Sequence, residues 1–396
     1  MHTLSEEQRA LIELVRGFTA SEVGPAADQH ERERRFPRQL FDQLAAMDLT
    51  GLIFPEDVGG SALPQRVYLM VVEELARAFL ALGMGLSVHT LATWAIDVHG
   101  TAEQRQRFVP DLVSGRMLGA YALSEPAAGS DPAAMTTRAV RDGDTYRLTG
   151  TKAWVTHGGI ADRYLVMART GGPGAAGVSA FVVDADQPGM SPQQPEDKLG
   201  LWASPTAEVV FDDAPVPADR LLGGAEGRGF ATAMASLDGG RLGIAACAVG
   251  LGQAALDHAT GYATEREQFG RAIGDFQGVG FLLADMAART EAARALYRRA
   301  AERRDHAAGV GPNVDTPQAG SRYPTSVPAA MAKLVATDAA MQTTTDAVQV
   351  LGGAGYTTDH PVERYLREAK ALQILEGTNQ IQRLVIARDL LKDARR

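Results

Sequence analysis

The stretch Val140-Arg141-Asp142-Gly143-Asp144-Thr145-Tyr146-Arg147-Leu148 sets the fold class of this chain. Asp142-Gly143-Asp144 carries turn chemistry, and Tyr146 and Leu148 alternate with polar neighbours beyond it, which predicts a β-hairpin. Further β-rich runs follow at Val178–Val183 and Ala207–Phe211, separated by Gly, Pro and Asp clusters. Residues 118 to 215 therefore read as one β region. On either side the period becomes helical. Ser5 followed by Gln8 predicts a capping box, after which Leu11, Ile12, Leu14, Val15 and Phe18 mark one apolar face. Helical patterns resume at 38–47, 65–80 and 101–112, punctuated early by Pro25 and Pro37. They return after Gly227 at 242–264, 277–304, 326–350 and 380–392. Between two of these, Ala307–Pro324 holds three Gly and three Pro without periodicity and reads as a loop. Strands grouped between helical segments predict separate domains rather than alternating βαβ units.

Composition narrows the function classes. The 396 residues carry 39 Lys and Arg against 48 Asp and Glu, a net charge of −9, which argues against nucleic-acid binding. Cys247 is the single cysteine, so an intrachain disulfide or a Cys-based metal cluster is excluded. The longest stretch without Asp, Glu, Lys or Arg is Ala78–Ile96, but Gly83, Gly85, Ser87, His89, Thr90 and Thr93 interrupt it. A buried segment explains it better than a membrane span. Residues 1–20 mix acidic with apolar side chains, which fits neither a secretory signal nor a transit peptide.

A formal GxGxxG occurs at Gly172–Gly177, yet Pro173 sits inside it and a β-branched run follows, so it reads as a loop rather than a dinucleotide site. No GxxxxGK[ST], HExxH or GxSxG string is present, and the eight His are scattered, so no metal site is expected. Four other stretches carry chemistry. In Tyr121–Asp131, the Ser124 and Ser130 hydroxyls and the flexible Gly129 could present donors to an acceptor-rich ring, or merely cap a turn. In Lys152–Gly159, Trp154 lies two residues from the Thr156 hydroxyl and could stack on a planar ligand, or be an ordinary buried Trp. Asp238 and Arg241 stand at (i, i+3), the spacing of a surface ion pair or of two side chains facing one charged ligand. In Leu372–Gln380, Glu376 lies among apolar residues before Gly377 and a helix start. Such a carboxylate has a raised pKa and is poised as a base, or is simply a helix-end Glu beside the N-cap Thr378.

In this order, YALSEPAAGSD, KAWVTHGG, REQFG, DAVQVLGGAGY and ILEGTNQIQR make a sequence that resembles the acyl-CoA dehydrogenase family over nearly its whole length. The resemblance implies an α+β protein: an N-terminal all-α domain (1–117), a middle β-barrel-like or β-sandwich domain (118–226) and a C-terminal four-helix bundle (227–396). It implies FAD as cofactor, with Tyr121, Leu123, Ser124 and Thr156 hydrogen-bonding the flavin ring and Trp154 lying against it. Arg266, with Gln268 and Phe269, matches the FAD-diphosphate position. Gln277, Gln349 and Gly353 match positions that reach FAD from a neighbouring subunit, and Thr378 and Gln380 match further FAD contacts. Ser130, Asp238 and Arg241 match positions holding the CoA portion, with Gly377 in the substrate site.

Glu376 matches the catalytic base. Some relatives carry that base immediately before the arginine equivalent to Arg241, but here that residue is Gly240. The implied reaction is α,β-dehydrogenation of a saturated acyl-CoA to the trans-2-enoyl-CoA, an oxidation at a CH–CH bond. Glu376 takes the α-proton and the β-hydride passes to flavin N5. Fatty acid β-oxidation, an electron-transfer flavoprotein as acceptor, a cytoplasmic location and a homotetramer built as a dimer of dimers follow by the same resemblance. Two rival readings are the same chemistry on an acyl-carrier-protein thioester, and a non-catalytic helical scaffold. The run Ser236–Ile244 is most similar to short-chain, butyryl-type members, so a short or branched acyl group is expected. Two departures stand out: Trp202 replaces an arginine that many relatives carry, and loop 307–324 is longer than usual.

Overall fold

The computed structural model describes residues 4–309 and 326–394. Helix α1 (Glu6–Phe18) begins with the expected capping box: Gln8 N–H donates to Ser5 Oγ (3.1 Å) and Ser5 N–H to Gln8 Oε1 (3.2 Å). A π turn, Thr19–Val23, leads into α2 (Gly24–Arg32), followed by α3 (Arg38–Ala46). The segment expected as one helix from Gln65 to Leu80 is found as one, ending two residues earlier. Helix α4 (Gln65–Ala78) ends at Phe79, whose extended backbone (φ −155°, ψ 107°) starts α5 (Leu80–His99) in a new direction. Gly83 permits the close return, since a Cβ there would lie 2.8 Å from Ala76 N. Helix α5 carries most of the uncharged stretch and is buried on almost every side up to Ile96, which is why it lacks an amphipathic period. Helix α6 (Ala102–Val113) is capped by a second box between Thr101 and Gln104.

Seven strands form one curled sheet in the order β1 (Gly119–Ala122), β4 (Arg163–Arg169), β2 (Arg138–Asp142), β3 (Thr145–Thr156), β7 (Thr206–Pro217), β6 (Met190–Pro192). Strand β5 (Val178–Asp184) pairs with β4. The opening stretch is the predicted hairpin: Asp142 pairs with Thr145 across Gly143, which takes φ +61°. The Gly172–Gly177 segment joins β4 to β5, two antiparallel strands, and Arg169 Nη1 donates to the Gly174 carbonyl at 3.0 Å. It is a structural loop, with no helix opening after it.

The C-terminal helices are α7 (Gly229–Glu265), α8 (Gln277–Ala307), α9 (Ser326–Leu351), α10 (Val362–Leu372) and α11 (Asn379–Ala394), with a small hairpin of β8 (Glu267–Gln268) and β9 (Arg271–Ala272) after α7. Helix α7 is apolar and long enough to cross a membrane by composition alone, but its most apolar window is 78% buried inside the protein. It packs on α4 and α5 as well as on α8 and α9, so one core joins Leu75 and Leu82 to Leu242, Ala246 and Leu251. That shared core fixes α5 against α7. Most of the loop expected at 307–324 lies outside the described residues.

Candidate active site

A cleft opens where α5, the start of the sheet, α7 and the turn between α10 and α11 meet. Met84, Val88 and Leu91 of α5 form an apolar wall; Leu237 and Arg241 of α7 face it, and Leu375, Glu376 and Gly377 close one end. The other end carries Tyr121, Leu123, Ser124, Ser130, Trp154 and Thr156.

That end has the features of a seat for a flat, acceptor-rich ring. The β3–β7 register slips between Lys152 and Val155, and within this bulge Trp154 takes φ +59°. A non-glycine residue in the left-handed region is uncommon and costs about 1 kcal/mol or more. The bulge turns the indole outwards, leaving it 61% exposed. The reading of Trp154 as an ordinary buried tryptophan therefore fails. Beside it, the Ser124 and Thr156 hydroxyls line the cleft and bond to no side chain or backbone among the described residues. Ser124 is fixed through its backbone, its carbonyl accepting from Ala153 N–H at 2.9 Å.

The loop bearing Ser124 and Ser130 is anchored from beneath. Lys152 is fully buried, and its Nζ donates to Glu125 Oε1 (2.8 Å) and to the Leu123 carbonyl (3.0 Å). Glu125 also accepts from Thr136 N–H, Thr136 Oγ1 and Thr137 N–H. Burial pushes the Glu125 carboxyl up, but Lys152 and these donors outweigh it and hold it down at about 2.

Glu376 sits in the turn with φ +52°, followed by Gly377 at φ +91°. Both carboxylate oxygens are buried with no hydrogen-bond partner among the described residues, and the Glu376 N–H has none among them either. Burial raises its pKa to about 7, against the pull of Lys333 and Arg241. A Cβ at Gly240 would collide with Glu376 Oε2, so a side chain at 240 and Glu376 in this rotamer exclude each other. Gly240→Ala is expected to displace the carboxylate and lower kcat/KM by about 100-fold with cofactor content unchanged, as measured by steady-state assay and flavin absorbance.

Three family models cover the chain in order: acyl-CoA dehydrogenase N-terminal domain (5–116), middle domain (120–214) and C-terminal domain (227–391). The chain belongs to the acyl-CoA dehydrogenase family. It is 44% identical over 393 residues to an acyl-CoA dehydrogenase of Bacillus subtilis, covering 99% of each chain. It is 42% identical to a short-chain-specific acyl-CoA dehydrogenase of Clostridium acetobutylicum, covering 97% of this chain and 98% of that one. The solved butyryl-CoA dehydrogenase of Megasphaera elsdenii superposes with a TM-score of 0.92 at 39% identity, covering 99% of this chain and all of that one.

Among the residues singled out from sequence in this acyl-CoA dehydrogenase chain, Tyr121, Leu123, Ser124, Ser130, Trp154, Thr156, Arg241, Glu376 and Gly377 line the cleft together. Asp238 does not; it lies behind Arg241, bridged to its Nη1 at 2.6 Å, and Arg241 is 6% exposed, so this is no surface ion pair. Thr378 caps α11, its Oγ1 accepting from Ile381 N–H at 3.3 Å, and Gln380 is exposed on that helix. Arg266, Gln268 and Phe269 are exposed in the β8–β9 hairpin, Gln277 is exposed at the start of α8, and Gln349 and Gly353 are exposed around the end of α9. One apolar cluster, including Ala263, Ile273, Val279, Val350 and Leu351, underlies both of these groups. Within one chain they are separate from the cleft.

Two groups of residues escaped the sequence reading. Lys333 is fully buried on α9, its Nζ donating to the Gly377 carbonyl (3.0 Å) and Asn379 Oδ1 (2.9 Å). Asn379 in turn donates to Thr337 Oγ1 (2.9 Å) and Asp338 Oδ1 (2.7 Å), and Gln382 Nε2 also donates to the Gly377 carbonyl (2.8 Å). Together they clamp the Glu376 turn. A lone lysine inside the apolar run Val327–Ala336 was the available signal. The second is the surround of Trp202, which lies outside the cleft. Arg34 and Arg367 stack on its ring at 5.0 and 4.4 Å, its N–H donates to Glu31 Oε1 (2.7 Å) and its indole to the Lys198 carbonyl (2.6 Å). Trp202 ties α2 and α10 to the loop before β7.

Proposed function

We propose that this chain is an FAD-dependent acyl-CoA dehydrogenase in which Glu376 is the base, acting on a short or branched saturated acyl-CoA. The observation that carries the reading is the unpartnered, buried carboxylate of Glu376 in one cleft with Arg241 and the outward-turned Trp154. Trp154, Thr156, Ser124 and the backbone of Tyr121–Leu123 fit a flavin ring by their exposure and free donors. Bound FAD supplies the hydride acceptor. Arg266, Gln268, Phe269, Thr378 and Gln380 are proposed to hold the rest of the cofactor, with Gln277, Gln349 and Gly353 reaching it from a second copy. Phe269 and Tyr356 at that end of the bundle are 94% and 88% exposed, which a dimer of dimers would cover.

In the proposed mechanism Arg241 and Ser130 bind the CoA portion and orient the thioester along α5, with Asp238 fixing Arg241. The Glu376 N–H donates to the thioester carbonyl as enolate charge grows. A preorganised donor of this kind contributes more than the base itself, whose transfer gives about 10²–10⁴-fold. Glu376 removes the α-proton, and the apolar wall of Met84, Val88 and Leu91 keeps water from the site. The electron acceptor is proposed to be an electron-transfer flavoprotein, in a cytoplasmic setting, with the three domains divided at 117/118 and 226/227.

A kcat/KM profile over straight and branched saturated acyl-CoAs tests the substrate: a maximum at short or branched chains is expected, and negligible rates beside rapid turnover of an acyl-carrier-protein thioester would overturn it. The base sets a pH dependence. Glu376 must be deprotonated to act, so kcat/KM rises with pH through about 7. Lys333 favours the charged carboxylate, so Lys333→Met moves that limb to higher pH as well as loosening the turn. A limb that stays in place in the variant would show that Lys333 has no electrostatic role.

A further inference from the structure

A second, smaller cavity lies among α4, α5, α7 and α8. Leu91 lines both this cavity and the cleft, and Gly240, whose missing side chain leaves room for Glu376 Oε2, forms part of its wall. Unlike the apolar face of α5 in the main cleft, its surround is rich in donors: Tyr68, Ser87, Thr90, Ser236 and Arg304. Thr90 Oγ1 is buried beside the Tyr68 hydroxyl. Arg304 stacks on Trp94 with 5.0 Å between its guanidinium carbon and the ring centre, yet makes no hydrogen bond or ion pair with any described residue.

Among the described residues two carboxylates, Asp238 and Asp305, act on Arg304 through charge, but neither makes an ion pair with it. Asp238 is bound to Arg241, and Asp305 accepts from the N–H groups of Gln65 (2.6 Å) and Arg66 (3.1 Å). A guanidinium with five N–H donors thus faces a small cavity whose lining side chains offer it neutral acceptors only, the hydroxyls of Tyr68, Ser87, Thr90 and Ser236 and the Gln65 amide, and no carboxylate. The position is also specific in depth. A Cβ on Gly239 would lie 3.2 Å from Arg304 Nη2, while the next residue, Gly240, abuts Glu376. Adjacent residues of α7 therefore abut the guanidinium and the base.

We propose that this cavity receives the far end of the acyl chain and selects short acyl thioesters that end in a carboxylate, with Arg304 as the residue that binds it. The inference rests on the dehydrogenase reading and names its substrate class. A methyl-terminated tail entering here would take water from the guanidinium without giving it a partner, which is costly. A terminal hydroxyl would satisfy one donor. A carboxylate offers two oxygens to the planar fork of the arginine, the strongest pairing open to it.

The test uses the FAD-loaded enzyme and compares kcat/KM for five- and six-carbon ω-carboxyacyl-CoAs with the straight saturated acyl-CoAs of equal length. The ω-carboxy substrates are expected to be preferred by about tenfold or more, the ratio typical of a charge-assisted hydrogen bond. In Arg304→Met that ratio falls by at least the same factor, and Arg304→Lys recovers part of it. Because the readout is a ratio within one enzyme, a general loss of folding does not mimic it. Preference for the neutral chains, or an unchanged ratio in Arg304→Met, overturns the inference while leaving the dehydrogenase reading in place. If no thioester of either kind is oxidised, the dehydrogenase reading fails and this inference falls with it.

Discussion

Glu376→Gln keeps its FAD and loses about 10²–10⁴-fold in kcat, the range typical of general-base catalysis. Glutamine has nearly the same shape and cannot accept the α-proton, so the loss falls on chemistry rather than on binding. A second effect has the opposite sign. The fold holds the Glu376 carboxyl at about 7 against an ordinary 4.5, because burial disfavours its charge. Below pH 4.5 both folded and unfolded chains carry it neutral; as pH rises through 7 the folded chain bears a cost the unfolded one does not. Glu376→Gln removes that cost, so at pH 8 the variant is more stable than the parent by the order of 1–3 kcal/mol, and at pH 4 the difference disappears. Kinetics on the FAD-loaded protein and denaturant melts at the two pH values measure both. Full activity in the variant would sink the assignment of the base.

Lys152→Met loses about 3–5 kcal/mol of stability, the cost of leaving a buried charge without its partner. Lys152 and Glu125 are 0% and 3% exposed at their side chains, so water cannot replace the missing ammonium. The remaining donors to Glu125, from Thr136 and Thr137, pull from the other side of the loop. The segment 124–130 then loses its anchor, and cofactor retention falls along with the melting point. Guanidinium unfolding monitored by circular dichroism, with flavin content measured alongside, gives both numbers. A melting point within a degree or two of the parent would show that the pair is not an anchor.

Much of the site was legible because it is local. The hairpin at Asp142-Gly143-Asp144, the capping box at Ser5 and the apolar setting of Glu376 each depend on a few neighbouring residues, and each is found where expected. What was missed depends on contacts distant in sequence. Nothing near Lys333 shows that α9 passes beneath the Glu376 turn, and nothing near Trp202 shows two arginines closing on it from α10 and the end of α2. Strand alternation placed Trp154 and Thr156 on one face; the outward turn of the indole comes from a bulge and a positive φ that no side-chain pattern announces. Helix α5 was hidden for a similar reason, since it is so buried that its apolar residues follow no helical period. The split between residues in the cleft and those at the far end of the bundle is likewise a tertiary fact. Arg266 and Gln349 share motifs with the cofactor contacts in sequence, yet in a single chain they stand apart from Trp154.

The most direct test of the account is anaerobic addition of saturated acyl-CoAs, short straight and branched chains with their ω-carboxy counterparts, to the purified yellow protein, followed by its visible spectrum. The flavin absorbance is expected to bleach with at least one of them, with the enoyl-CoA appearing in equal amount. Glu376→Gln is expected to bind the same thioester without bleaching on that timescale. A flavin that stays oxidised with every thioester, or a colourless protein that cannot be reconstituted with FAD, would contradict the account.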